Sequence, residues 1–341
     1  MPFDPAVMLP RGKLAPELLQ SLLARYAHRD SRLIAGPAVG EDVAVIDMGD
    51  RYMVVKTDPI TFATDQIGWY AVHVNANDVA TSGARPLWML STILLPDGAA
   101  DSALVEGIFQ QLHEACNELE IALVGGHTEV AWGLDRPIVV GVMIGEVPHD
   151  KLLTTAGARA GDRILLVKGI PIEATALIAR EKASELRRRG YAESFLMRAQ
   201  GYLYDPGISV VAAARLAAEH PGVHAMHDPT EGGLASSLHE IAIASGAGVR
   251  LDADHVAILP EGARLCAEFG LDPLGAIASG ALLVAIAPEH AAALTALYHR
   301  HGIPCSDIGE LLPDAAQRLM LRHGELTLLP RYDADEITRV F

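Results

Sequence analysis

Carboxylates at the ends of apolar segments are the residues of this chain best suited to chemistry. Asp42 comes just before an apolar run, and Asp58 closes the next one. Asp78 lies on the apolar face of a predicted helix, where its lost hydration costs several kcal/mol unless a cation or strong donors replace the water. Carboxylate oxygens suit Mg²⁺, which also binds substrate phosphates. Asp42, Asp58 and Asp78 are therefore candidate metal ligands, although turn chemistry or a helix-end hydrogen bond would also account for each.

Paired glycines mark a second candidate feature. Gly125 and Gly126 follow a predicted strand and precede His127, Thr128 and Glu129. Glycine lets a backbone approach an anion closely and present N–H groups to it. A plain hairpin would use the same glycines, so both interpretations stay open.

The run from Asp228 to Gly233 opens a predicted helix. Asp228, Pro229 and Glu231 fit a capping box. Capping does not explain Gly232 and Gly233, which cost the helix about 1 kcal/mol each. A phosphate seated on the first N–H groups would explain them. Metal-bound carboxylates together with backbone amides would provide what phosphoryl transfer requires.

Familiar motifs for competing chemistries are absent from the sequence. It contains neither GxxxxGK[ST] nor a GxGxxG turn, and neither HExxH nor GxSxG. These absences exclude a P-loop, a dinucleotide-binding turn and the commonest zinc and serine hydrolase signatures.

Hydrophobic periodicity predicts the elements that must position these groups. Helices are expected over 14–28, 65–82, 101–119, 172–189, 209–219, 231–245 and 289–301. Strands are expected over 43–48, 52–57, 87–95, 121–124, 138–144, 164–168, 223–226, 281–287 and 308–312. The pattern lapses at about 148–160, which predicts two domains, 1–153 and 154–341. The order of elements favours mixed sheets backed by helices, an α/β protein of the α+β type.

Composition narrows the class of protein. Half of the 341 residues are apolar, and the formal net charge is −16. A disordered chain is excluded, and nucleic acid and anionic membranes are poor partners for so acidic a surface. The three cysteines lie far apart, the first residues lack a secretion signal, and no apolar stretch is long enough to span a bilayer. A reduced, cytoplasmic protein is expected.

Six ordered motifs resemble the aminoimidazole ribonucleotide synthetase superfamily. They are GEDVAVI, KTDPI, NANDVATSGARP, GGHTEV, GARAGDRILLVKG and HDPTEGGLASSLHEIA, and the resemblance covers about residues 36–312. It implies a two-domain PurM-like fold whose N-terminal domain forms a β-barrel with a second copy, making a homodimer, and it implies ATP and Mg²⁺ as cofactors.

The resemblance also implies roles for particular residues. Asp42, Asp58 and Asp78 match Mg²⁺ and phosphate residues, and Asp228 matches an acidic residue that the second domain contributes. Asp58, Asp78 and Asp228 are the implied catalytic set. The implied nucleotide-binding residues are Asn77, Gly125, Gly126, His127, Thr128, Gly232 and Gly233.

Among the branches, the motifs are most similar to the hydrogenase-maturation E protein. That branch carries its substrate on a C-terminal cysteine, whereas the last cysteine here is Cys305, and His127 stands where several relatives place an acidic residue. We therefore expect an ATP-dependent paralogue with an unassigned small-molecule or protein-borne acceptor, with a maturation-factor protein as a further potential partner. The alternatives are a non-catalytic nucleotide-binding assembly factor and a phosphotransferase of the thiamine-monophosphate kinase type, although the SDGL-type run of that kinase is absent.

Overall fold

Two mixed β-sheets with flanking helices make up the structure, a computed structural model that describes residue 9 and residues 14–27, 30–38 and 40–341. The prediction that no secretion signal is present was made from residues 1–5, which lie outside the described residues. Position 28, the predicted end of the first helix, also lies outside them. Within the described ranges, no helix is both long enough and apolar enough to cross a bilayer.

The first sheet has six strands in the order β1-β2-β3-β6-β4-β5. Only β4 and β5 pair in parallel, and the other neighbours are antiparallel. The strands are β1 (Leu33–Ala35), β2 (Ala44–Asp47), β3 (Tyr52–Ile60), β4 (Arg85–Pro96), β5 (Ala122–Ala131) and β6 (Ile138–Val147). The helices of this half are α1 (Pro16–Tyr26), α2 (Ile67–Thr81) and α3 (Ser102–Glu118).

The second sheet has seven strands in the order β13-β12-β9-β11-β7-β10-β8. They are β7 (Arg163–Val167), β8 (Val223–His227), β9 (Gly248–Asp252), β10 (Leu282–Ile286), β11 (Cys305–Leu312), β12 (Arg318–Arg322) and β13 (Glu325–Leu328). The helices are α4 (Ile172–Glu181), α5 (Ala183–Arg188), α6 (Glu193–Gly201), α7 (Val211–Ala218), α8 (Gly233–Ala244), α9 (Pro260–Phe269) and α10 (Pro288–Arg300). The connection over 148–162 joins the two sheets, and the division at 153/154 proposed from the sequence lies within it.

Helix α2 is the element on which both halves pack. Every one of its residues is buried. It contacts β3 and β6 on one side and α3, α7 and β8 on others. A helix that is enclosed in this way needs apolar residues all round rather than one apolar stripe. Helix α2 nevertheless carries buried polar residues, and for Asn75, Asn77 and Asp78 we expect specific partners.

Several elements differ from the sequence expectation. The predicted helix over 172–189 is interrupted at Lys182. Residues 172–179 of α4 are buried, whereas α5 buries only Leu186. The strand expected over 121–124 continues to Ala131 as β5. Six elements were not predicted, because they are short or because tertiary packing rather than local periodicity defines them. They are β1, α6, β9, α9, β12 and β13.

Candidate functional site

Three aspartates from distant parts of the chain meet at one point. Side-chain oxygens of Asp42, Asp78 and Asp228 all lie within 4.8 Å of one another. Asp78 and Asp228 are buried, and Asp42 is partly exposed. The three residues are 36 and 150 positions apart along the sequence, so only the folded chain assembles them.

Each aspartate is positioned by the end of an element. Asp42 lies just before β2, and Asp228 directly follows β8. Asp78 lies in the last turn of α2, which packs against both β3 and β8. The first domain thus supplies two of the carboxylates and the second domain supplies the third.

Lys56 joins the fourth predicted aspartate to this cluster. Its Nζ lies 3.0 Å from Oδ2 of Asp78 and 3.3 Å from Oδ2 of Asp58. The Asp58 side chain is one-third exposed, so it lies towards solvent while Asp78 is enclosed. The structure therefore groups Asp42, Asp78 and Asp228 directly and brings in Asp58 through the shared lysine.

His227 supplies a second cationic group. Its Nδ1 lies 2.7 Å from Oδ2 of Asp42, and its Nε2 lies 3.0 Å from Oε2 of Glu240 on α8. Burial lowers the pKa of His227, but Asp42 and Glu240 outweigh burial and raise the pKa well above its ordinary value. A protonated His227 therefore bridges two carboxylates.

The buried carboxylates are not satisfied by the protein alone. Burial raises the pKa of Asp78 well above its ordinary value even though Lys56 opposes the shift. Burial, followed by Asp42, raises the pKa of Asp228 to about 6. No backbone amide or hydroxyl among the described residues donates to either oxygen of Asp228. Among the described residues, Lys56 and His227 each contact two carboxylates of this group, and the burial of Asp78 and Asp228 favours a bound cation.

A hard divalent cation fits this donor set. Neighbouring ligands of an octahedral Mg²⁺ lie about 3 Å apart and opposite ligands about 4.2 Å apart. The three aspartate oxygens lie within 4.8 Å of one another, so small side-chain shifts would bring them to one ion. All three donors are carboxylate oxygens, the type that Mg²⁺ selects. Asp42, Asp78 and Asp228 are therefore the residues that would hold the ion, and the orphaned oxygens of Asp228 would gain a partner.

Asn75 fixes the backbone beside the site and was not identified from the sequence. Its Oδ1 accepts a hydrogen bond of 2.8 Å from the amide of Asp58, and its Nδ2 donates to Ala71 and Asp58 carbonyls. Gly141 on β6 makes room for it, because a Cβ there would lie 2.4 Å from Asn75 Nδ2. Asp58 is thereby held against α2.

Asn77 makes contacts different from those its motif implied. Its Nδ2 donates to the carbonyl of Ile208 at 2.8 Å, and its Oδ1 accepts from the amide of Val210 at 2.8 Å. Both partners belong to the second domain, and both bonds are buried. These contacts account for the burial of Asn77, and its assignment to a nucleotide cleft stays a prediction.

The glycines at 125 and 126 lie inside the edge strand β5 rather than in a loop. Gly126 pairs with Ser91, and a Cβ at Gly126 would lie 1.9 Å from the Ser91 carbonyl oxygen. Close pairing with β4 thus explains Gly126. His127 and Thr128 continue the exposed strand, and His127 Nε2 lies 3.3 Å from Oε2 of Glu129. A nucleotide-binding role for residues 125–128 stays a prediction.

The first N–H groups of α8 are occupied by the protein itself. The Gly232 amide donates to Oδ2 of Asp335 at 2.6 Å, and the Gly233 amide donates to the Thr230 carbonyl. A Cβ at Gly233 would lie 2.6 Å from the Ala276 carbonyl oxygen. Backbone packing and a carboxylate from the C-terminal segment therefore account for both glycines. In this conformation these two N–H groups are not open to a phosphate.

The missed residues Lys56 and His227 both lie beside predicted site residues, but only Lys56 had a usable signal. Lys56 and Asp58 are two positions apart on a strand, so their side chains share one face. His227 is next to Asp228, but nothing local indicated that its partners would be Asp42 and Glu240.

The comparisons with known proteins agree with this architecture. The family models described as AIR synthase related protein, N-terminal domain and C-terminal domain match residues 40–147 and 159–322. The chain belongs to the AIR synthase related family.

Several relatives are named as hydrogenase-maturation proteins, and similar solved structures also include thiamine-monophosphate kinases. A carbamoyl dehydratase HypE from Cupriavidus necator is 30% identical, with 96% of this chain and 92% of the relative covered. A crystal structure of HypE in complex with ATP is 25% identical, with a TM-score of 0.70 and coverage of 97% and 98%. A crystal structure of a HypE–HypF complex shares the fold, with 19% identity, a TM-score of 0.74 and coverage of 93% and 100%.

Proposed function

We propose that this protein binds ATP with Mg²⁺ at the aspartate cluster and transfers the γ-phosphoryl group to an acceptor oxygen. The observation that carries the proposal is the convergence of Asp42, Asp78 and Asp228 within 4.8 Å, with no backbone amide or hydroxyl among the described residues donating to the buried Asp228. The ATP complex of the HypE relative supports nucleotide as the ligand.

The proposed roles follow from position and charge. Asp42, Asp78 and Asp228 would hold the cation, which supplies neutralisation of the phosphate charge. Lys56 favours the ionised form of Asp78, because its ammonium lies 3.0 Å away and opposes the rise in pKa that burial causes. His227 orients Asp42 through their 2.7 Å ion pair. Asp58, which lies nearest to solvent, would meet the acceptor or a second cation, so the catalytic set of Asp58, Asp78 and Asp228 stays as proposed from the sequence.

A carbamoyl group is the acceptor that the relatives favour, since they are named carbamoyl dehydratases. Its carbonyl oxygen attacks the γ-phosphorus, and ADP leaves. The O-phosphate then departs as inorganic phosphate while the nitrogen loses its two protons, and a nitrile remains. The carbonyl oxygen ends in phosphate, so water is removed from the carbamoyl group without an oxidant or reductant.

Edge strand β5 supports the proposed homodimer. Its exposed side chains include Val124 and Val130, and Trp132, which follows the strand, is 93% exposed. A second copy pairing there would cover these apolar groups and extend the sheet. It would also place Gly125, Gly126, His127 and Thr128 between two copies, where a nucleotide-binding role would need the partner. We also propose that the protein is cytoplasmic and has a maturation-factor protein as a partner.

An isotope experiment tests the reaction. The full-length protein is incubated with Mg²⁺-ATP and S-carbamoylcysteine that carries ¹⁸O in its carbonyl group. The proposal predicts ADP and ¹⁸O-labelled phosphate in equal amounts, with the yield lost in Asp78→Asn and retained in Asp97→Asn, an exposed control. ATP binding without ADP formation would instead indicate a non-catalytic assembly factor. ADP formed only with thiamine monophosphate would indicate the kinase alternative.

A further inference from the structure

A cleft of about 570 Å³ lies between the two domains, separate from the aspartate cluster. Trp69 and His73 of α2 form one wall, and Lys168, Tyr204 and Ser209 of the second domain form the other. His73 and Asp78 are five residues apart on α2, which places them about 7.5 Å apart along the axis and about 140° apart around it. The cleft and the aspartates therefore lie on different sides of the same helix.

Buried polar groups without partners line this cleft. Trp69 is 9% exposed and His73 is 1% exposed. The indole N–H and both imidazole nitrogens have no hydrogen-bond partner among the described residues. Each such group costs about 1–3 kcal/mol when it is left unsatisfied in a protein interior. The two rings pack against each other, with centroids 4.5 Å apart and planes tilted by 45°.

A cation completes the polar end of the cleft. The ammonium of Lys168 donates to the carbonyls of Gly207 and Ser209 at 2.9 and 2.7 Å, which leaves its third proton for another acceptor. Burial lowers the pKa of Lys168 to about 8, so the group remains mostly charged at neutral pH. Burial lowers the pKa of His73 to about 3, so its imidazole is neutral and carries one N–H. Lys168 has φ of +70°, a conformation that is uncommon for a residue with a side chain.

The rest of the cleft is apolar and large enough for an organic molecule. Leu203, Val211 and Ile303 contribute apolar surface, and Tyr204 packs edge-on against Trp69 at 5.1 Å. A volume of this size lies within the range of small-molecule sites rather than single-ion sites. The first-domain wall of the cleft also carries two acidic residues, Glu118 and Glu120. On the second-domain wall, Arg215 contributes a further positive charge.

We propose that this cleft binds a small organic anion, with its oxygen-bearing head group towards Trp69, His73 and Lys168 and an apolar body of one or two rings against Tyr204 and its neighbours. Lys168 is the cationic donor for a carboxylate or a phosphate ester, and a small rotation of the two rings would bring the buried N–H groups of Trp69 and His73 to the same head group. Because the two walls come from different domains, the ligand would hold the domains together. The site is independent of the proposed nucleotide chemistry.

Calorimetry on the full-length protein tests this site with benzoate, phenyl phosphate and neutral benzyl alcohol. We expect one molecule of benzoate or phenyl phosphate to bind per chain, and benzyl alcohol to bind at least about tenfold more weakly. Binding of benzoate alone assigns a carboxylate ligand, and binding of phenyl phosphate alone assigns a phosphate ester. The site is refuted if neither anion binds at millimolar concentration, or if the neutral alcohol binds equally well.

Matched variants locate the binding. Trp69→Phe keeps the ring and removes the N–H, and Lys168→Met removes the charge without easing the backbone strain. Each is expected to weaken anion binding about tenfold, whereas Trp132→Phe, at a 93% exposed position, leaves binding unchanged. Asp78→Asn should also leave it unchanged. The proposal would be overturned if Trp69→Phe and Trp132→Phe weakened anion binding equally. It would also be overturned if anion binding were lost in Asp78→Asn alone. Thermal unfolding of each variant confirms that it is folded.

Discussion

The ammonium of Lys56 lies 3.0 Å from Asp78 Oδ2, in a part of the structure where Asp78 is 2% exposed. Burial would lower the pKa of Lys56, but Asp78, Asp58 and Asp42 together raise it. The lysine thus favours the charged form of Asp78, while burial, the larger effect, raises the pKa of this carboxyl. The ion pair is a structural precondition for any cation bound beside Asp78.

Removing this lysine should destabilise the protein in a pH-dependent way. We expect Lys56→Met to lower the free energy of unfolding by about 3 kcal/mol at pH 8, because a buried carboxylate loses its partner. The loss should be smaller at pH 5, since Asp78, whose pKa is already raised, becomes neutral by protonation. Urea unfolding at both pH values measures the difference. Arg85→Met breaks an exposed pair with Glu120 and should cost less than about 1 kcal/mol; equal losses in the two variants would contradict this account.

Asn77 offers a test of how the two domains are joined. Asn77→Ala removes the bonds to Ile208 and Val210 and leaves a buried amide unsatisfied. The expected loss in the free energy of unfolding is about 2–4 kcal/mol. Asn117→Ala, at an exposed position on α3, is the control. A change below about 0.5 kcal/mol in Asn77→Ala would show that these bonds do not stabilise the junction.

Neighbouring glycines separate strand packing from nucleotide binding. Gly126→Ala places a methyl group 1.9 Å from the Ser91 carbonyl oxygen, whereas the nearest atom to a Cβ at Gly125 is 3.8 Å away. We therefore expect Gly126→Ala to lower the melting temperature by several degrees, and Gly125→Ala to leave it nearly unchanged. If Gly125→Ala keeps its stability but binds ATP more weakly, residues 125–128 contribute to the nucleotide site. The same melting temperature in both variants would contradict the pairing of β5 with β4.

Glu173 provides a pH test of stability. Burial raises its pKa to about 7. A group whose folded pKa exceeds its unfolded value near 4.5 favours the folded state at low pH, and this contribution is lost as pH rises from about 4.5 to about 7. Glu173→Gln should remove that part of the pH dependence and be the more stable form at pH 8, by up to about 3 kcal/mol. Glu289→Gln is the control, because Glu289 is the second residue of α10, as Glu173 is of α4, but is exposed. It should change neither the stability at pH 8 nor its pH dependence. A wild-type stability that does not fall between pH 5 and pH 8 would count against the prediction.

The local sequence pattern was sufficient to predict the acidic residues of the site but not the cationic residues that pair with them. Asp42, Asp58, Asp78 and Asp228 stand at the ends of apolar segments, and element ends of consecutive strands and helices tend to meet, so they could be singled out from the sequence. Their cationic partners could not, because the contact of His227 with Asp42 spans 185 positions and exists only in the folded chain.

The glycine runs show the same limit. Gly126 and Gly233 both resemble anion-binding glycines in sequence, yet each is required by a backbone segment that packs against it, Ser91 in one case and Ala276 in the other. Close approach between distant segments leaves no local signal. The family resemblance was confirmed because it rested on six ordered motifs rather than on one glycine pair.

Binding of Mn²⁺, a Mg²⁺ substitute with an EPR signal, tests the central claim most directly. In the presence of a non-hydrolysable ATP analogue, wild type and Asp97→Asn should bind Mn²⁺ equally, and Asp228→Asn should bind it at least about tenfold more weakly. Without metal, the same Asp228→Asn variant should melt at or above the wild-type temperature, because it removes an unsatisfied buried charge. Undiminished Mn²⁺ binding by a folded Asp228→Asn protein would contradict the claim that Asp42, Asp78 and Asp228 hold the metal.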